Sequence, residues 1–337
     1  MLMAYYEPEL TERVDLCTAK GTLNPKAVGW SRQPLHNCNL RRRFPRKKRW
    51  NYWCITTDEF LFSATISDID YLGLAFVYFL DFKTGYFHEM TVSRLLGRGC
   101  KLPDAAEGNV NFTSAKLNLS FTATPLGVKI RVDSPDFDGR TLKADIDVRH
   151  PQGHETLNVV IPWSQRQFQF TSKQNTLPTT GSLALGDKVY TAQGGYGCLD
   201  LGRGIWPYSS FWNWAGASGT CGGHTIGLNF GAGWTDGTGM NENAICIDGR
   251  LTKISEDVQF TYDSDFMQPW TLKTESNDID IVFTPFFHRV AKTDAKILRS
   301  EVHQMIGRFS GTVTDAEGRK YDFKDIIGWA EEHFARW

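Results

Sequence analysis

The chain lacks any apolar run long enough to cross a bilayer. The longest, Tyr71 to Leu80, is about half of the ~20 residues a spanning helix needs, and Asp70 and Asp81 fence it. It also lacks a C-x-x-C pair. Seven cysteines, an odd number in 337 residues, read as reduced thiols and not as a disulfide framework, which favours a cytoplasmic protein. Met1 to Pro8 have neither the basic start nor the apolar core of a secretory leader. No charge sign is in excess: 37 Lys+Arg against 38 Asp+Glu leave a net charge of −1. That excludes a wholesale polyelectrolyte partner, so nucleic acid is not expected. The phosphate-cradling G-x-x-x-x-G-K-[ST], a strand-borne G-x-G-x-x-G, G-x-S-x-G and H-E-x-x-H are all missing, and with them the usual support for nucleotide, serine-hydrolase and zinc-peptidase chemistry. Neither a cofactor nor a metal is expected. His150 and His154 stand four apart, but in a turn with Pro151 and Gly153, where that spacing does not set them on one helix face.

What the chain does have is alternation of period two. Leu117, Leu119 and Phe121, then Val128, Ile130 and Val132, then Leu142, Ala144, Ile146 and Val148 each alternate with polar residues, as do Val258, Phe260 and Tyr262. Each pattern is a strand with one wet face, the mark of antiparallel sheet. Ile326, Ala330, Phe334 and Trp337 instead fall on a helical stripe, which predicts one terminal helix over 325–336. The expected fold is all-β, two barrel- or sandwich-like units with a short C-terminal helix. The polar stretch Ser172 to Gly181 is the candidate linker, dividing residues 1–180 from 181–337.

Residues 194–239 stand apart. They hold 14 of the 31 glycines and three formal charges, Asp200, Arg203 and Asp236, where about ten would be expected at the chain's average. Tyr196, Trp206, Tyr208, Trp212, Trp214, His224 and Trp234 crowd the same stretch, with Glu242 and Asn243 just beyond. Aromatic walls with few polar groups suit a pocket for an apolar ligand, and they equally suit the packed seam between two β units. Isolated charges in such a wall need partners, so Asp200 and Arg203, three apart, are expected to pair. The three charges are the catalytic candidates; the aromatics, His224, Glu242 and Asn243 are the ligand-binding candidates. A basic run is separate from all this: seven of the nine residues from Arg41 to Arg49 are Arg or Lys, followed by Trp50, Tyr52 and Trp53. It reads as a solvated loop or as a contact for anionic lipid or RNA.

Several stretches resemble domain of unknown function family 2804. They include Gly29-Trp30-Ser31-Arg32, Lys47 to Trp53, Thr171-Ser172-Lys173-Gln174, Gly202-Arg203-Gly204 with Trp206-Pro207-Tyr208, Trp212-Asn213-Trp214, Asp236 to Gly239 with Glu242-Asn243, and Gly328 to His333. That family is distantly similar to carotenoid 1,2-hydratases, tocopherol cyclases and fungal Diels–Alderases. The resemblance implies two lipocalin-like β units around an apolar pocket, and an acid near aromatics that protonates an alkene, with Asp200 matching the acid's position. The implied activity is a cofactor-independent hydratase, cyclase or isomerase on an isoprenoid, polyene or lipid-like substrate. A non-catalytic carrier of a hydrophobic ligand is the alternative.

Overall fold

The computed structural model describes residues 7–295 and 298–337. The first six residues, part of the segment read above as carrying no leader, lie outside the described residues. Three two-residue strands open the chain, β1 (Val14–Asp15), β2 (Trp30–Ser31) and β3 (His36–Asn37). Twelve strands then run through β4 (Lys47–Thr56), β5 (Phe60–Asp68), β6 (Leu72–Asp81), β7 (Phe87–Leu95), β8 (Val110–Thr113), β9 (Asn118–Thr124), β10 (Gly127–Phe137), β11 (Arg140–Arg149), β12 (Leu157–Ile161), β13 (Phe168–Leu185), β14 (Lys188–Thr191) and β15 (Tyr196–Ile205). Nine more follow: β16 (Ser209–Cys221), β17 (His224–Ala232), β18 (Ala244–Ile247), β19 (Arg250–Lys253), β20 (Gln259–Thr261), β21 (Trp270–Lys273), β22 (Ile279–Ala295), β23 (Leu298–Thr314) and β24 (Lys320–Arg336).

These strands form two large sheets. The first runs β7-β6-β5-β4-β15-β13-β11-β10-β9-β8, with β12, β2 and β14 attached off that path. The second runs β19-β18-β17-β16-β24-β23-β22-β21-β20. Each curls around its own apolar core, one holding Trp53, Phe62, Phe121 and Phe170, the other Phe230, Trp270, Phe283 and Phe309. The architecture is all-β, two curled antiparallel half-barrels in a double lipocalin-like arrangement. Among the described residues no helix is long and apolar enough to cross a membrane, and all seven cysteines are free.

Two expectations fail for one physical reason. The stretch read as a terminal helix is strand β24, paired between β16 and β23. Residues 326–331 are buried on both faces, so no alternation marks them, and the apolar positions mimic a helical stripe by chance. The polar stretch read as a linker lies within β13, an 18-residue strand. Most of its polar side chains are buried too, Ser172 and Gln174 toward the first core and Lys173 on the outer face that meets the second sheet. The chain passes from one sheet to the other between Ile205 and Ser209. At Gln174 to Leu177 the register with β15 shifts, a bulge with Thr176 in the left-handed region at φ 55°. Thr176 N–H there donates to Ser218 Oγ of β16 at 2.9 Å, tying the sheets together.

Candidate functional site at the seam between the sheets

Alternation gives every strand of the first sheet a second face. On β4, Trp53 and Ile55 point into the first core, while Tyr52 and Cys54 turn outward and pack with Trp214, Ile306 and Trp329 of the second sheet. Into this aromatic seam the fold places a set of ionisable groups. Lys173 of β13 bridges two carboxylates, Asp200 of β15 and Glu242 before β18, each at 3.0 Å. Its ammonium also lies 4.2 Å above the Trp214 ring. An ion moved from water into such a place costs several kcal/mol. Burial alone would lower the pKa of Lys173, but Asp200 and Glu242 outweigh it and hold the amine protonated, above its ordinary range. Burial pushes the Glu242 carboxyl up, against the pull of Lys173.

Asp200 receives further hydrogen bonds from Trp50 Nε1 at 3.1 Å and Thr171 Oγ1 at 3.3 Å. Gly202 makes the first possible. Any Cβ there would run into the Trp50 indole and the Gln169 amide, so only glycine lets the ring lie flat across β15.

Across the seam, a second chain of polar groups joins the sheets. Glu331 of β24 accepts from Trp212 Nε1 at 3.3 Å and Gln304 Nε2 at 3.1 Å. Gln304 in turn accepts from Tyr78 OH at 2.8 Å, and Tyr78 shares a 2.7 Å hydrogen bond with Tyr52. Arg289 of β22 grips Glu89 of β7 through two hydrogen bonds, at 2.9 and 3.0 Å, with its guanidinium 4.4 Å above Tyr78. Burial pushes the Glu331 carboxyl up to about 7, despite Arg289 and Lys173. Burial and Arg289 hold His333 neutral, its pKa down at about 3; its ring lies 4.0 Å from Trp212, and Nε2 meets Ser300 Oγ at 2.9 Å. Thr65 Oγ1, buried beside Tyr52 and Phe76 on this face, has no hydrogen-bond partner among the described residues.

The seam is closed at one end and looser at the other. Tyr52, Tyr78, Ile306 and Trp329 are buried. Further along the same faces Trp50, Leu74, Phe76, Trp212, Val302 and His333 all keep accessible surface. Lys48, one step beyond Trp50 on this face of β4, is buried under the rings of Tyr71 (4.6 Å) and Trp337 (5.3 Å). Burial and Arg46 lower its pKa to about 8.

The structure sorts the expected residues sharply. Asp200, Glu242 and Trp214 come together at the seam, with Trp212 at its looser end. Arg203 is not the partner of Asp200. Three residues apart in a strand lie on opposite faces, and Arg203 points into the first core. There it donates to the carbonyls of Pro103, Trp50 and Gly202 and to Asn51 Oδ1. Asp236 is exposed and accepts from the Gly233 N–H of its own turn. His224 is exposed and pairs with Asp248 at 2.6 Å. Tyr196 OH meets Thr220 Oγ1 away from the ions, Tyr208 is exposed, and Asn243 ties Gly231 N–H to Glu256 O.

Nor do the four tryptophans form one wall. Trp206 stacks on Trp234 at 5.1 Å and packs with Trp163 and Trp212, while Trp234 Nε1 donates to Glu242 Oε1 at 2.8 Å and so reaches the ionic set from the side away from Trp214. Trp214 belongs with Trp329 and Tyr52. Lys173, Glu331, Arg289, Gln304, Tyr52, Tyr78 and His333 were not among the candidates. For Lys173, Tyr52, Glu331 and His333 the one signal was their place within stretches that resemble a family, since Lys173 and Glu331 sat in segments read as linker and helix; Arg289, Gln304 and Tyr78 carried none. Among the described residues no cluster of three or more His, Cys, Asp or Glu is arranged to hold a metal ion.

Two curled sheets with an ionic, aromatic seam define a double lipocalin-like protein. The chain belongs to the family described as Domain of unknown function (DUF2804), whose pattern matches residues 7–337. Among curated proteins no sequence matches it. Among solved structures it is similar to a candidate AttH from Nitrosomonas europaea, at 13% identity and a TM-score of 0.52, covering 87% of this chain and 93% of that one. It is also similar to CghA crystallised with Sch210972, at 11% identity and a TM-score of 0.53, covering 87% and 89%. Kievitone hydratase from Nectria haematococca aligns more weakly, at 12% identity and a TM-score of 0.49 over 87% and 89%. At these identities the likeness is one of fold.

Proposed function

We propose that the chain is an enzyme that moves protons on an apolar small molecule held in the seam, as a hydratase, cyclase or isomerase. The observation that carries this reading is Glu331, a carboxyl whose pKa of about 7 leaves it substantially protonated near neutrality, set among aromatic faces. A carboxylic acid there can donate a proton to an alkene carbon. The cation formed on the neighbouring carbon faces Trp212, Trp214, Trp329 and Tyr52, whose π faces favour positive charge. Loss of a neighbouring proton, capture of water or ring closure by a substrate hydroxyl then quenches the cation, and the proton released in each case returns to the carboxylate. Asp200, held ready by Lys173 and Trp50, is the second group able to take it. A pure carrier of apolar ligands has no use for this many ionisable side chains, each desolvated at a cost.

The test is incubation of the protein in D2O with a panel of isoprenoid alcohols and polyenes, read by mass spectrometry and by tryptophan emission. Carbon-bound deuterium is expected in at least one compound. E331Q should lower its rate by roughly a hundredfold or more while emission quenching persists. Quenching without deuterium in any compound makes the protein a carrier; neither signal removes the apolar ligand.

A further inference from the structure

The looser end of the seam carries a surface that the chemistry above does not use. The basic run leads into it. Lys47 and Arg49 pair with Asp70 and Asp68, which fixes the start of β4 against the β5–β6 turn. That turn holds the end of β7 in its place: Leu96 N–H donates to Tyr71 O at 2.9 Å, and the Asp68 carboxylate packs on Gly97. Arg46 reaches the Trp206 carbonyl, and Trp337 N–H donates to Tyr208 O, which brings the start of the second sheet to the same end.

Around this rim four large apolar side chains face solvent: Leu95 at 73% exposure, Phe44 at 63%, Leu96 at 58% and Tyr208 at 48%. Between them stand Arg41, Arg42 and Arg98, all exposed, and none of them, nor Arg43 or Arg46, has a carboxylate partner among the described residues. The nearest carboxylates of the turn, Asp68 and Asp70, are taken by Arg49 and Lys47. Exposed apolar side chains ringed by uncompensated arginines match an anionic bilayer, which takes the apolar tips below its headgroups and the guanidinium groups at their level. The patch is continuous with the partly accessible seam residues Trp50, Phe76 and Trp212, since Leu95 pairs with Leu72 and shares the outer face of Leu74 and Phe76.

We propose that this end of the molecule docks on an anionic lipid membrane, with Phe44, Leu95 and Leu96 inserted and Arg41, Arg42 and Arg98 against the lipid phosphates. The inference deepens the reading of an apolar ligand in the seam, because a ligand dissolved in the bilayer would meet the open end directly. An RNA partner is less suited, since Leu95 and Leu96, two of the four exposed apolar side chains, offer no face on which bases stack.

Co-sedimentation of the full chain with phosphatidylcholine vesicles, with and without phosphatidylserine, tests it without any turnover. Binding is expected only to the anionic vesicles, and it should fall steeply as salt rises. R41E/R42E/R98E should weaken it by about tenfold or more. F44S/L96S should weaken it while leaving the salt dependence in place. Both variants alter exposed side chains, so unchanged melting checks their fold. No binding to anionic vesicles, or equal binding by the arginine variant, overturns the proposal. So does displacement from the vesicles by single-stranded RNA. If apolar compounds still quench tryptophan emission when the vesicles do not bind, docking falls and the seam reading stands.

Discussion

Two buried cations, Arg203 in the first core and Lys173 in the seam, differ in the partners that hold them. Both are charged and enclosed, and both lie on the neighbouring strands β15 and β13. Arg203 is satisfied by three carbonyls and an amide oxygen, none of which can take up or release a proton in the ordinary pH range. Burial lowers its pKa only to about 10, so it stays charged and clamps the segment around Pro103 to the barrel. Lys173 is satisfied by two carboxylates, and a third, Glu331, stands across the seam with its proton near balance. Neutral partners make a clamp; ionisable partners make a site.

The largest effect expected from breaking this contrast is at the clamp. R203M removes four hydrogen bonds from the first core and should cost on the order of 3–5 kcal/mol, read as a lower urea midpoint with little change in slope. Apolar probes that bind the folded fraction should still quench its tryptophan emission, because the seam is on the other face.

Next comes the pH dependence that Glu331 imposes. Its folded pKa of about 7 lies above the ordinary 4.5, so the native state binds the extra proton between those values. Stability from this group is full below pH ~4.5 and is lost as pH rises to ~7, a change on the order of 3 kcal/mol. His333 works the other way: with its folded pKa down at about 3, stability falls as pH drops below ~6.5. Between about pH 4.5 and 6.5 the two contributions oppose and nearly cancel, so E331Q should be more stable than the parent at pH 7 and should turn a nearly flat profile into one that rises with pH across that range. An unchanged slope in urea titrations across that range would remove Glu331 as the seam's protonatable acid.

The smallest effect belongs to Asp200. Because Lys173 keeps Glu242, D200N should cost only about 1–2 kcal/mol. A loss as large as that of R203M would make Asp200 a clamp as well and would weaken its place in proton transfer.

Much of the fold was legible. The alternating patterns at Leu117–Phe121, Val128–Val132 and Leu142–Val148 lie in β9, β10 and β11, because those strands have one wet face. The seam strands were not, since burial on both faces erases the alternation that sequence reading depends on. Lys173 read as linker because nothing local reveals that a second sheet covers it, and Gln174 because a polar side chain turned toward the first core breaks the apolar pattern. Asp200 was legible from its isolation among aromatics, but its partner was not: pairing by proximity in sequence ignored that a strand sends residues 200 and 203 to opposite faces. Glu331 was hidden by the same error of period that turned β24 into a helix.

The position of β24 also governs how the chain is assembled. It is the middle strand of the second sheet, with β16, some 120 residues earlier, on one side and β23 on the other. The first sheet has its own long closure, β4 against β15, but that is complete once residue 205 has been made. As the polypeptide leaves the ribosome, the N-terminal half-barrel can therefore close while β16 to β19 wait with an unpaired edge for a strand that is made only after β20 to β23. Such distant pairings slow folding and leave strand edges open to aggregation in the interval. The ionic seam, needing both sheets, cannot form until β24 is in place.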